Sequence, residues 1–174
     1  MNNDSFSYKN LCSTCKKTCC ETVDCPPVFS TDLKRLEKIG KSSDEYLKTI
    51  KLADDKYLTQ IKKKPNTNHC IFYDNEKKCC TIYEHRPLDC RMYPFDVEVI
   101  NGEPWWIVYS CNPNSDWSWT EEHLQKFEQD PEFEELMQKI ELYDLYVIQE
   151  LDYRGIQEIP IRKVKRKILQ TINK

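Results

Sequence analysis

The chain has 174 residues, 39% of them apolar, and a formal net charge of −3, enough for one domain that buries a core of its own. With 32% charged residues, a mean hydropathy of −0.75 and no apolar run near the roughly 20 residues that cross a bilayer, it excludes a membrane-spanning helix. Its three glycines, Gly40, Gly102 and Gly155, stand far apart, which excludes a phosphate-cradling loop or a dinucleotide fingerprint, and the overall charge makes no case for nucleic acid as a partner.

The opening MNNDSFSYKN is polar and lacks the apolar stretch of a secretory signal, so a reducing, cytoplasmic setting is expected. Directly after it, LCSTCKKTCCETVDCPP (11–27) holds five of the chain's ten cysteines. An even total permits pairing as disulfides. In a reducing compartment, however, clustered cysteines are metal ligands or redox groups more often than bridges, and the vicinal Cys19 and Cys20 reach disulfide geometry with each other only under strain. Metal binding is the expected role.

Beyond Pro26-Pro27 a helix is predicted from Ser30 or Thr31, with Leu33, Leu36 and Ile39 on one face and Gly40 as its stop. A second, short helix is predicted from the capping-box pair Ser42 and Glu45, with Tyr46, Leu47 and Ile50 as its buried face. Residues 53–64 are open to helix or strand; YLTQI favours a strand before the KKKP loop. The segment HCIFYDNEKKCCTIYEHRPLDCRMYPFD (69–96) brings the second group of cysteines, Cys70, Cys79, Cys80 and Cys90. Cys70 and Cys80 flank DNEKK, a polar turn able to bring two thiols to one side, and Pro87 and Pro94 stiffen the backbone around Cys90.

Next, FDVEVINGEPWWIVYS (95–110) alternates Phe95, Val97 and Val99 up to Asn101-Gly102, which predicts a hairpin, and Cys111 follows its end. A turn over Asp116 to Thr120, with Thr120 as cap, leads into helix to about Arg154, broken at Asp130-Pro131. Phe133, Leu136, Met137, Ile140, Tyr143, Val147, Ile148 and Leu151, widened by Leu142, Leu145 and Tyr146, recur at helical spacing as core rather than as a cofactor site. Trp105-Trp106 and the pair Trp117 and Trp119 are likewise expected to pack on the core rather than to form a stacking platform. After Gly155, IQEIPI reads as a link. A last basic helix, with Val164, Ile168 and Ile172 four apart, is expected to dock on the acidic helix of 121–152, or else to meet an anionic partner or a lipid surface.

Two remote groups of thiols suggest convergence on one metal centre or on two adjacent ones. The combination Cys12-x2-Cys15-x3-Cys19-Cys20 with CIFYDNEKKCCTIYEHRPLDCRMYP resembles the YkgJ-type cysteine-cluster family, the CxxCxxCC zinc- or iron-chelating domain. The matching elements are Cys70-Ile71-Phe72, Cys80-Thr81-Ile82-Tyr83, Arg86-Pro87 and Cys90-Arg91-Met92-Tyr93-Pro94. The likeness runs over roughly residues 11–111 and leaves the C-terminal helices unaccounted for. Three residues separate Cys15 from Cys19 where the family's name has two, a spacing similar to the N-terminal motif of the flagellin lysine N-methylases. The resemblance implies Cys12, Cys15, Cys19, Cys20, Cys70, Cys80, Cys90 and Cys111 as metal ligands, with Cys25 and Cys79 extra to the pattern.

The metal stays open between two chemistries. Eight thiolates could build two closed tetrahedral zinc sites, although paired CxxC knuckles would be the usual signature and one CxxC is present, at Cys12 and Cys15. A compact run of three thiolates with more arriving from elsewhere suits an iron–sulfur cluster, of [4Fe–4S] type, and the likeness to the methylases favours iron. Lys16, Lys17, Arg86 and Arg91 are placed in sequence to offset the negative charge of such a centre. His69 and His85 are expected beside it rather than as ligands, and His123 at the surface.

The expected architecture is α+β: a small β-hairpin and sheet core stapled by a cysteine-bound metal centre, with packed C-terminal helices. Residues 1–155 read as one cysteine-cluster domain and 156–174 as a basic helix or tail. Three functional classes follow: a metal or cluster protein for electron transfer, delivery or maturation; a protein-modifying enzyme related to the lysine N-methylases, weakened by the missing nucleotide-binding glycines; and a zinc-stapled interaction module. The partner or substrate is expected to be a protein, and no catalytic residue is singled out.

Overall fold

The computed structural model of the protein describes residues 25–110, 117–150 and 157–165. Helix α1 (Ser30–Leu36) tightens into a 3-10 turn over Glu37–Ile39 and stops at Gly40, whose φ of 71° is the left-handed conformation that suits glycine. The expected stop is thus the observed one. Asp32, buried, accepts from the backbone N–H of Phe29 at 3.0 Å and so satisfies the residue that precedes the helix.

Helix α2 (Ser43–Tyr46) has the anticipated capping box, with Glu45 accepting from the Ser42 N–H at 2.9 Å, but it lasts four residues only. Leu47 and Ile50, expected on its buried face, belong instead to strand β1 (Leu47–Ala53), antiparallel to β2 (Lys56–Ile61). Pairing with β2 supplies backbone partners all along β1 and lets Ile50 and Leu52 reach the core, a tertiary gain that overrides local helix propensity. On its other edge β2 receives residues 25–28: Val28 donates to the Thr59 carbonyl at 2.8 Å, and Ile61 donates to that of Pro26 at 3.1 Å. The end of the N-terminal cysteine segment is thereby fixed in the fold.

Strands β3 (Tyr73–Asp74) and β4 (Cys79–Cys80) form a miniature hairpin, followed by helix α3 (Leu88–Met92). Strands β5 (Phe95–Ile100) and β6 (Glu103–Ser110) form the expected hairpin; Asn101 and Gly102 both have positive φ, as an Asn-Gly turn of this kind requires. The sheet has a third strand. Residues Gln157–Lys163, expected as a link leading into a basic helix, form β7, antiparallel to β6. Ile159 and Ile161 alternate onto the core, and Pro160 is tolerated because the strand is at the sheet's edge.

Helices α4 (Glu121–Glu128), α5 (Pro131–Gln138) and α6 (Ile140–Glu150) cover this sheet. The break at Asp130-Pro131 is as expected, with Asp130 capping the Glu132 N–H at 2.9 Å, and a second break falls at Lys139. Trp106, fully buried, stacks on Phe133 at 5.0 Å, while Leu124, Leu136, Tyr143 and Val147 complete the main core. From Phe133 to Val147 the helical stripe is core, as its periodicity indicated, and Leu151 lies outside the described residues. A second apolar cluster gathers Cys25, Leu36, Tyr46, Ile61, Phe72 and Ile82 around Cys70, with Cys80 packed against it.

The basic residues after β6 do meet the acidic helix of the same chain, though from a strand. Arg162 pairs with Glu121 and Glu128, and Lys165 with Glu121. Residues 166–174, the rest of the expected helix, lie outside the described residues. No described helix is long and apolar enough to cross a membrane.

Candidate metal centre

The cysteine hairpin is built by its turn. Asp74 Oδ1 accepts from the backbone N–H groups of Glu76 and Lys77, both at 2.9 Å, which folds DNEKK back on itself and depresses the Asp74 carboxyl. Opposite Tyr73 stands Cys80, and opposite Asp74 stands Cys79. Because neighbours on a strand face opposite ways, Cys80 packs against the second cluster and Cys79 is exposed. Cys70 enters the same cluster one turn earlier, where Tyr73 donates to its carbonyl at 3.0 Å.

One peptide carbonyl joins the two cysteine groups. The Lys62 carbonyl accepts from Ile71, the residue after Cys70, at 3.0 Å, and from the Cys25 thiol at 3.4 Å. Cys25 is buried there, so the N-terminal cysteine segment ends beside the Cys70 loop.

Cys90 lies on α3, half-buried. The helix is held at its start by Asp32, which accepts from the Leu88 N–H at 2.8 Å; burial raises the Asp32 carboxyl. Beside Cys90, Asp89 accepts a hydrogen bond at 2.6 Å from the Tyr143 hydroxyl, which also lies 2.5 Å from Asp96 Oδ1, and Tyr109 donates to Asp96 Oδ2 at 2.8 Å. Two buried carboxyls thus share one hydroxyl. Burial raises both.

The expected counter-cations have partners of their own. Arg91 pairs with Asp130 and Glu132, and Arg86 lies 3.6 Å over the Tyr83 ring. Lys16 and Lys17 lie outside the described residues. His69 shares a hydrogen bond between Nδ1 and Asn75 at 2.9 Å and sits edge-on to Tyr73; His85 is half-buried in a 3-10 turn. His123, expected at the surface, packs instead against Phe95 and Phe127, and burial holds its imidazole below the usual range.

Among the described residues, no three His, Cys, Asp or Glu side chains form a group able to hold a metal ion. Cys12, Cys15, Cys19, Cys20 and Cys111 lie outside them. The chemistry of the donor set nevertheless fits a thiophilic metal, since the chain's pattern offers thiolates, the ligands that zinc and iron–sulfur clusters share. Gln60, Tyr143 and Tyr146 are participants that sequence reasoning assigned to the apolar interior or passed over. The available signal was chemical: a buried tyrosine hydroxyl needs a polar partner, so two tyrosines in a core stripe mark buried polar groups opposite them.

The α+β fold thus brings the end of one cysteine segment against the loop of another. The chain belongs to the CxxCxxCC family, described as a "putative zinc- or iron-chelating domain", whose model matches residues 11–119. It is 37% identical over 86 residues to an uncharacterized protein of Methanocaldococcus jannaschii, a match covering 49% of this chain and 44% of that one. The chain thus spans less than half the length of this relative. No solved structure matches. Helices α4 to α6 and strand β7 lie beyond the span of the family match.

Proposed function

We propose that this is a cytoplasmic protein in which Cys12, Cys15, Cys19, Cys20, Cys70, Cys80, Cys90 and Cys111 hold iron as a [4Fe–4S]-type cluster. The observation that carries this reading is the meeting of both cysteine groups at the Lys62 carbonyl. Cys20 precedes Cys25 by five residues, a span of at most about 17 Å even when fully extended, so anchoring Cys25 beside the Cys70 loop keeps the Cys19-Cys20 pair in the neighbourhood of that loop. The metal supplies one-electron transfer or Lewis acidity when bound. The chain's own part is to hold Cys80 on a short hairpin and Cys70 in the turn that leads into it, to present Cys90 from α3, and to pack Cys70 and Cys80 with the second apolar cluster. Iron is favoured over zinc by the likeness of the Cys12-x2-Cys15-x3-Cys19 run to the N-terminal motif of the flagellin lysine N-methylases.

Anaerobic purification followed by iron, zinc and sulfide analysis and an absorption spectrum tests the proposal. Iron and sulfide in like amounts, with the broad visible absorption of an iron–sulfur cluster, are expected. Stoichiometric zinc without sulfide overturns the cluster and leaves a zinc site. Absence of both metals overturns metal binding. A heat of binding with S-adenosylmethionine would favour the enzyme reading instead.

A further inference from the structure

Helix α6 carries two tyrosine hydroxyls that point into the protein rather than at solvent. Tyr143 is wholly buried and Tyr146 nearly so, at 6% exposure. Three residues apart, they share one face of the helix, with ring centroids 6.4 Å from each other. Each grips a cysteine-bearing segment. Tyr143 bonds Asp89, covalently next to Cys90, at 2.6 Å. Tyr146 donates to the Cys25 carbonyl at 2.8 Å, and the buried Gln60 side chain donates to that carbonyl at 2.8 Å and to the Tyr146 oxygen at 3.2 Å.

We propose that α6 is the clamp of the metal centre, with Tyr143 and Tyr146 as positioning residues that hold the Cys90 helix and the N-terminal cysteine segment at a fixed separation. The inference rests on the reading that these cysteines bind metal. It adds that a helix beyond the family's matched span is part of the centre. A site assembled from two distant segments must oppose their independent motion, and a buried hydroxyl on each does so because breaking either bond gives up a hydrogen bond that water cannot replace in the core. Linkage makes the effect reciprocal: metal that fixes both segments strengthens the docking of α6 to the same degree.

The test compares Tyr143→Phe and Tyr146→Phe with Phe133→Leu, which loosens the core without touching either hydroxyl. In the metal-free, reduced chain, iodoacetamide labelling is followed cysteine by cysteine. Tyr143→Phe is expected to speed labelling of Cys90, and Tyr146→Phe that of Cys25, each about tenfold, the equilibrium factor of one buried hydrogen bond, with exposed Cys79 unchanged as reference. In the loaded protein, both variants are expected to pass metal to a chelator about tenfold faster than wild type, by the same factor, while Phe133→Leu does not. Labelling and release that change no more than in Phe133→Leu overturn the clamp, and if the metal-free chain is unfolded the release rates alone decide. A wild-type chain that takes up neither iron nor zinc while the labelling is still selective overturns the metal reading and leaves the clamp standing as a device of the fold.

Discussion

Cys79 and Cys80 are adjacent, yet one is exposed and the other is packed against the second apolar cluster, because a strand sends neighbours to opposite sides. Cys25, the other cysteine extra to the family pattern, is buried with its thiol on the Lys62 carbonyl. Cys25→Ser and Cys79→Ser are therefore expected to keep their metal, the first losing about 1 kcal/mol of packing, whereas Cys15→Ser and Cys90→Ser lose most of it. Metal per chain in the four variants, purified anaerobically, decides. Equal loss in all four would mean a centre larger than proposed, and equal retention would mean that the cysteines are not ligands. Glu98 supplies a pH test away from the cysteines. Burial first, then Glu158, Asp96 and Asp144, push its carboxyl up to about 7. The folded form thus binds a proton that the unfolded chain releases near its ordinary value of 4.5, so stability falls as pH rises from there to about 7. Glu98→Gln is expected to flatten that part of the profile and to raise stability at pH 8 by about 1 kcal/mol, after allowance for the solvent screening of a half-buried group. An unchanged profile in thermal melts would contradict it.

Among the elements, α1 depends on a residue about a hundred positions away in the chain. Glu135 of α5 accepts from the backbone N–H groups of Ser30 and Thr31, both at 2.9 Å, and from their hydroxyls at 2.7 Å, which satisfies the start of α1. Burial alone would raise the Glu135 carboxyl, but bonds from Lys139, Thr31 and Ser30 outweigh it and hold it well below the usual range. Glu135→Ala is expected to cost about 2 to 3 kcal/mol, the range for hydrogen bonds to a charged group, with faster amide exchange concentrated in α1. A change below about 0.5 kcal/mol, the range of an ordinary surface substitution, would show that the staple contributes nothing. The β1 outcome has the same origin. Leu47 and Ile50 satisfy a helical pattern, and only the presence of β2 alongside makes them strand. At β7 the alternation of Ile159 and Ile161 was present in the sequence, but Pro160 between them made a link the simpler reading until β6 offered an unpaired edge.

For the whole molecule, the N-terminal cysteine segment is tied in at its end by Cys25, Pro26 and Val28, and has few large apolar residues of its own. Metal binding is therefore expected to supply much of its order. Complete removal of metal by a chelator should lower the melting temperature by roughly 10 °C, corresponding to about 4 kcal/mol for a site filled at a thousand times its dissociation constant. Calorimetry on the loaded and stripped protein measures it, and identical melting curves would show that the metal has no part in holding the fold. The charge asymmetry of the chain is resolved internally as far as residue 165: Arg162 and Lys165 meet Glu121 and Glu128, which lowers the Glu121 carboxyl to about 2.

By itself the sequence determined the features that depend on near neighbours or on chemical identity. The Gly40 stop, the Ser42 and Glu45 box, the Asn101-Gly102 hairpin, the Pro131 break and the apolar stripe from Phe133 to Val147 each follow from φ preferences or periodicity within a few residues, and all appear in the fold. The cysteines and the residues flanking them, Arg86-Pro87 and Tyr93-Pro94 among them, likewise carried the resemblance to the family that the chain belongs to. The tertiary structure alone decided which edges pair and which hydroxyls meet which carboxylates: β1 against β2, β7 against β6, Glu135 on α1, and Tyr143 and Tyr146 on the cysteine segments. Such choices are made by backbone groups and buried polar atoms that any neighbour can satisfy. Their partners become defined only when the core packs and excludes water from the alternatives.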